Sequence, residues 1–205
     1  NTPGGPFRDL GCMFTSTEIG VQNSIDPDYV EANGKKYLFW GSFSGIYYVE
    51  LSDDAMSVKT NASPVRIGGN AFEAAYIHKR GEYYYMFCSI GTCCEGANST
   101  YKTVVGRSKS VTGPYVDRNG NSMLYDNYEV VIGGNGRWAG PGHNGDIITD
   151  DEGRDWIPYH GWDILDEGPG RKMFLDEVIW VDGWPVVKGK TASYTTQDGP
   201  TFYDE

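Results

Sequence analysis

Asp26, Glu73 and His143 combine reactive side chains with a shared place in a repeated pattern. Asp26 opens the segment DPDYVEANGKKYLFWGS, and Glu73 opens EAAYIHKRGEYYYMFCS. A third segment, GDIITDDEGRDWIPYHG, runs from Gly145 to Gly161, and His143 lies two residues ahead of it. Paired carboxyl groups suit acid–base work on a glycosidic bond: one protonates the departing oxygen, the other activates water or attacks carbon. The acid has to hold its proton near neutral pH, and a second carboxylate nearby favours that because like charges resist joint ionisation. In such a pair Glu73 is the acid, and Asp26 tunes and orients it. Each residue also has a plainer reading. Asp before Pro, as in Asp26-Pro27, is ordinary turn chemistry, and a lone His in the Gly-rich GPGHNG is usually just hydrogen-bonded. Glu73, inside AFEAAYI, is harder to set aside, because Glu is almost never fully buried without a partner. The common register raises the functional reading above the plain one.

The elements that must position these residues are legible in the same repeat. Each segment reads as a strand, a Gly-bearing turn and an aromatic strand. The turn glycines Gly34, Gly81 and Gly153 each fall eight residues after the segment's first residue. Short turns with Gly between such runs are hairpin signals. The segments start 47 and then 72 residues apart, so the units carry loops of different length. GGPFRDL at Gly4–Leu10 echoes TGPYVDR at Thr112–Arg118, and EVIWVDGWPVV predicts one more hairpin, turning at Asp182-Gly183. Repeated antiparallel units of this size predict an all-β chain of β-propeller blades. A β-sandwich is the lesser alternative, since it does not need the same turn at the same offset three times. In a radial repeat, equivalent positions surround one axis, so Asp26 and Glu73 face a common cavity. His143 joins them if its strand extends that far, because strand side chains alternate with period two.

Composition agrees with one domain over residues 1–205. Of the 205 residues 39% are hydrophobic, and 28 Gly with 15 Tyr and 6 Trp favour many turns and short aromatic strands. The net charge of −11 argues against nucleic acid and against anionic membrane surfaces, and permits a neutral, hydroxyl-rich ligand. No apolar run reaches the length of a membrane span. Asn1–Leu10 lacks a signal-peptide pattern, as a mature secreted protein also does. The four cysteines, Cys12, Cys88, Cys93 and Cys94, do not have zinc-site spacing. Adjacent cysteines such as Cys93 and Cys94 rarely bridge, so buried free thiols are expected. Trp40, Phe43, Trp138 and Trp162 are candidate surfaces for stacking on sugar rings. The DDEGRD run at Asp150–Asp155 lacks calcium-loop spacing and reads as a hairpin turn.

Three stretches carry a family resemblance: SIDPDYVEANGKKYLFWGSFSGIYYVELS, EAAYIHKRGEYYYMFCSIGTCCEGANSTYKTVVGRSKSVTGPYVD, and WAGPGHNGDIITDDEGRDWIPYHGWD. They resemble glycoside hydrolase family 43 and, within it, the α-L-arabinanases; CCEGANSTYKTVVGRS and GPGHN are the most specific parts. The resemblance implies a five-bladed propeller with an inverting mechanism, of which this chain covers roughly the last three to four blades. It implies that Glu73 is the general acid and Asp26 the modulator of its pKa. His143 then matches a histidine at the bottom of the central cavity, near a calcium or sodium ion. Trp40, Ser42 and Phe43 are the expected substrate contacts. The implied substrate is α-1,5-linked arabinan or its oligosaccharides, and the implied location is secreted or periplasmic. Family members carry their general base, an Asp usually followed by Pro, well upstream of the Asp26 motif, where this chain has 25 residues. The base is therefore expected in an N-terminal segment outside this chain, and a separate N-terminal chain completing the ring is the expected partner. Two small departures are EAAY for the usual EAPY and GHNG for the common GHNS. Two rivals stand beside this reading: a non-catalytic glycan-binding propeller, and a β-xylosidase or galactosidase of the same family.

Overall fold

Short strands joined by turns form three antiparallel sheets in a computed structural model that describes residues 4–203. The first sheet is β1 (Asp28–Ala32), β2 (Lys35–Trp40), β3 (Ile46–Glu50) and β4 (Val65–Gly68). The second is β5 (Glu73–Arg80), β6 (Tyr83–Ile90), β7 (Lys102–Ser108) and β8 (Glu129–Ile132). The inner strand of the third comes in two pieces, β9 (Trp138–Gly142) and β10 (Ile148–Thr149), both paired with β11 (Asp155–Asp163). β12 (Lys172–Val181) and β13 (Trp184–Val187) complete it. Strands follow one another in chain order within every sheet, which is the meander of a propeller blade.

The turns have the backbone that their residues favour. Asn33-Gly34 and Asp182-Gly183 both place two successive residues at positive φ, the arrangement whose twist matches the flanking strands of a hairpin. The second of these is the hairpin expected in EVIWVDGWPVV: β12 turns at Asp182-Gly183 into β13, and because β12 also pairs with β11 the hairpin completes the third blade.

The blades are held together by apolar layers between them. Phe39 and Ile46 of blade 1 pack with Phe72, Met86 and Val104 of blade 2. Phe87 and Val105 of blade 2 pack with Ile157, Tyr159 and Val178 of blade 3. Strand alternation sends Met86 to one side of β6 and Phe87 to the other, so the middle blade is a wall shared by both layers. On the opposite side of blade 1, a short helix α1 (Ser16–Ile19) brings Phe14, Ile19 and Val21 against Trp40, Val49 and Leu51.

The cysteines depart from expectation. Cys93 and Cys94 are disulfide-bonded to each other, Cys12 is exposed, and only Cys88 is a buried free thiol. The bonded pair sits in the tight turn that leaves β6. Paired Thr92 and Thr100 close that turn, and the Trp162 indole donates to the Cys93 carbonyl, 2.8 Å away.

Phe87 is fully buried in the layer between blades 2 and 3. Phe87→Ala is expected to lower the unfolding free energy by about 3–5 kcal/mol, measured by urea denaturation. A loss below about 1 kcal/mol contradicts the shared-wall placement of β6.

Candidate active site

The first two blades each hold the start of the next through the last residue of the repeat. Ser42, the final residue of the first repeat, donates its hydroxyl to Oε2 of Glu73, 2.8 Å away, which opens the second. Ser89, the final residue of the second repeat, accepts from the backbone N–H of His143, 2.8 Å away, just ahead of the third. The equivalent residue of the third repeat is Gly161, which has no side chain to offer. The second oxygen of Glu73 accepts from the hydroxyl of Tyr101. Asp26 faces the same junction: its Oδ2 accepts from the N–H of Ala74 at 3.3 Å, and its Oδ1 lies 3.9 Å from Nε2 of His143. The repeat register thus brings Asp26, Glu73 and His143 together.

The backbone is unusual at this junction. Asp26, Ala74 and His143 all have left-handed conformations, with φ of 56°, 53° and 51°. Non-glycine residues adopt that region seldom, and bulges that re-aim side chains often lie beside active sites. In blade 2 the pairing of β5 with β6 slips between Glu73 and Tyr76. In blade 3 the inner strand breaks at His143, between β9 and β10. The strand alternation expected to aim His143 is therefore absent; the left-handed kink and the bond to Ser89 place it instead. Strain of this kind costs on the order of 1–3 kcal/mol per residue and persists where surrounding contacts fix it.

A pocket of about 150 Å³ opens here, lined by Asp26, Asp28, Tyr76, His143, Asn144 and Asp146. Glu73 does not line it: the residue is 9% exposed and its carboxyl engages Ser42 and Tyr101. Burial lifts the Asp26 carboxyl above the usual range; His143 opposes this, and the Glu73 charge adds to it. Asp28 is pushed up to about 6 by burial, against the N–H of Ile77 and with help from Asp146. Burial, then Arg171 and His143, push His160 down to about 4, so at neutral pH it is an uncharged ring, stacked 5.8 Å from Tyr101. A larger hollow of about 320 Å³ lies beside Asp176, Ser193 and Gln197. The Asp176 carboxylate there is already taken up by Tyr159, Ser193 and Gln197.

The profile of glycosyl hydrolases family 43 matches residues 1–185. The chain belongs to this family. It is 36% identical over 192 residues to the extracellular endo-α-(1→5)-L-arabinanase 1 of Bacillus subtilis, covering 88% of this chain and 56% of that protein. It is 33% identical to the extracellular exo-α-(1→5)-L-arabinofuranosidase ArbA of Cellvibrio japonicus, covering 96% of this chain and 61% of that protein. Among solved structures, the Cellvibrio cellulosa α-L-arabinanase complexed with arabinohexaose superposes with a TM-score of 0.82 at 32% identity, over 92% of this chain and 65% of that one. An exo-1,5-α-L-arabinanase from a bovine ruminal metagenomic library gives 0.81 at 36% identity, over 91% and 65%. The chain therefore spans less than two thirds of the length of these family 43 relatives, and its three blades belong to their propeller fold.

The other expected contacts of this family 43 chain fall in different places. Trp40 is a correction: it is 1% exposed, packs on Phe14, and donates its indole N–H to Ser24, so it offers no face to a sugar. The α1 segment covers the side of blade 1 to which Trp40 points. Ser42 is spent on Glu73. Phe43 is exposed on the loop after β2, beside Ser42, with its N–H bonded to the carbonyl of Phe72. Trp138 packs edge-on against Phe174, and Trp162 braces the Cys93 turn. Asp150, in DDEGRD, accepts from the backbone of Arg154 and from the Trp156 indole, the work of a hairpin turn. Among the described residues, no group of three or more His, Cys, Asp or Glu is placed to hold a metal ion. Sequence reasoning missed Tyr101, Asp28, Asp146 and His160 as members of the site. The period-two spacing from Asp26 could have flagged Asp28; no local pattern marks Tyr101 as a partner of Glu73.

The raised Asp28 yields a pH test. Below about pH 4 this carboxyl is protonated in both folded and unfolded chains; as pH rises towards 6 the unfolded chain releases its proton first, so stability falls. Asp28→Asn keeps an acceptor for Ile77 and should abolish this component, leaving the variant more stable than the parent above pH ~6 by on the order of 2–3 kcal/mol. Denaturation at several pH values checks it; parallel stability curves for parent and variant contradict the burial assigned to Asp28.

Proposed function

We propose that this chain is the acid-bearing part of an inverting glycoside hydrolase that cleaves α-1,5-linked arabinan or its oligosaccharides, with Glu73 as general acid and Asp26 as the carboxylate that tunes it. One observation carries the reading: Glu73 is a buried carboxyl beside a second carboxyl, and its hydrogen-bond partners are hydroxyls rather than cations. A hydroxyl both donates and accepts, so Ser42 and Tyr101 can satisfy Glu73 with or without its proton. That suits a group that must lose a proton and regain it in every cycle. The extracellular arabinan-cleaving relatives support the substrate class and a secreted location; among the described residues no helix is long and apolar enough to cross a membrane.

In this scheme the Glu73 proton passes to the glycosidic oxygen as the bond from that oxygen to the anomeric carbon breaks. Water adds to the opposite face of the sugar, and a base takes its proton. Acid and base in an inverting site stand about 6.5–9.5 Å apart. Asp28 and Asp146 are out of register with Asp26 and Glu73, so the base is assigned to further blades, on this polypeptide or on a separate N-terminal chain that completes the ring.

The pocket floor also fits the cation that the family resemblance implies. Asn144 is 6% exposed and its Oδ1 accepts no hydrogen bond, and it lines the pocket with His143, Asp28 and Asp146. Asn144 and His143 would hold a calcium or sodium ion there, with water completing a loose shell. The ion would supply positive charge at the base of the site.

The test uses the complete enzyme. Glu73→Gln should abolish arabinan cleavage and cost less on aryl arabinosides, whose leaving groups need little protonation. An equal loss for every leaving group removes Glu73 from the acid role. Asp26→Asn takes away the neighbouring negative charge and should move the alkaline limb of the pH–rate profile to lower pH; an unmoved limb contradicts the tuning role. Binding of debranched arabinan without cleavage would favour the glycan-binding rival, and faster cleavage of aryl xyloside than of aryl arabinoside would favour the xylosidase.

A further inference from the structure

Tyr101 is 1% exposed, and three contacts fix it before its hydroxyl meets Glu73. Its ring stacks on His160, with centroids 5.8 Å apart and planes 16° from parallel. It also lies against Gly142, where an added Cβ would come within 2.3 Å of the ring. Its backbone N–H donates to the carbonyl of Thr92 at 3.0 Å, which closes the turn that carries the Cys93–Cys94 disulfide. That turn is anchored on blade 3 by the Trp162 indole at the Cys93 carbonyl and by Glu167, which accepts from the N–H of Ala97.

We propose that Tyr101 is a positioning residue for Glu73. The proposal rests on the reading of Glu73 as general acid. The Tyr101 hydroxyl donates to Oε1 of Glu73, from a ring held by His160, Gly142 and the Thr92 carbonyl. Burial and the Glu73 bond push the Tyr101 phenol well up, with the Ser89 hydroxyl opposing them, and Tyr101 stays a neutral donor throughout the working pH range. The Tyr101 hydroxyl on Oε1 and the Ser42 hydroxyl on Oε2 hold the Glu73 carboxyl in one orientation before and after its proton passes to the glycosidic oxygen. Ser42 holds the other oxygen of Glu73 independently, from blade 1.

The experiment compares the complete parent enzyme with Tyr101→Phe, which keeps the ring and deletes the hydroxyl. With arabino-oligosaccharide, kcat is expected to fall by about 10–100-fold while KM stays within about twofold. With an aryl arabinoside of good leaving group, kcat is expected to fall less than about threefold. That split belongs to impaired protonation, and a merely structural loss does not produce it. Parallel losses on both substrates, a change in KM alone, or no change overturns the proposal. Should Tyr101→Phe unfold, His160→Ala, which removes the ring stacked on Tyr101, decides the matter: the same split in smaller measure supports the positioning role, and its absence overturns it. A parent enzyme that cleaves neither substrate overturns the acid reading and this inference with it, whereas an active parent with an unaffected Tyr101→Phe overturns this inference alone.

Discussion

The hydrogen bond from Ser42 to Glu73 is the constraint on which the site depends. Both groups are buried, and they belong to different blades. Leaving either without its partner would cost about 1–3 kcal/mol, more for the carboxylate, so the bond fixes how blade 1 meets blade 2. The same repeat position then supplies Ser89, which fixes how blade 2 meets His143 ahead of blade 3. Apolar packing between blades gives most of the cohesion, but such packing is non-directional. The serine bonds supply the direction: they set the inner strands in a register that turns Asp26, Glu73 and His143 to one junction.

That register concentrates negative charge where water is partly excluded. Asp26, Asp28 and Asp146 share one small pocket, with Glu73 behind it. Burial lifts Asp26 and Asp28 above the ordinary carboxyl range, and the neighbouring carboxylates reinforce the lift in each case. Such a site disfavours anions and suits a neutral sugar, in keeping with the net charge of −11. The three left-handed residues, Asp26 and Ala74 near the starts of two inner strands and His143 at the break in the third, are the local cost of bringing these groups so close.

What could be read from the sequence was whatever the repeat copies. Asp26 and Glu73 stood out because the same position recurs, and the turns at Gly34, Gly81 and Gly153 followed for the same reason. Ser42 and Ser89 were in plain register too, but their purpose is visible only once one blade meets the next. His143 reached the junction by a different route from the one expected, through a kink that no alternation pattern foretells. Trp40 looked like a sugar platform because a sequence does not reveal which side of a strand a distant helix covers. Tyr101 was hidden for a similar reason: its contact with Glu73 spans 28 residues and depends on Gly142 lacking a side chain. The Cys93–Cys94 bond ran against the general rarity of adjacent pairs, and the turn that presents it is closed by Thr92 and Thr100 and braced from blade 3 by Trp162.

The account stands or falls on whether Ser42 and Glu73 act as a coupled pair across the first blade boundary. A double-mutant cycle in unfolding free energy, with Ser42→Ala, Glu73→Ala and the two combined, measures that coupling without reference to turnover. The account expects the double variant to be less destabilised than the sum of the single ones, with an interaction energy of about 0.5–3 kcal/mol. Additive single effects, with an interaction below about 0.3 kcal/mol, would contradict it.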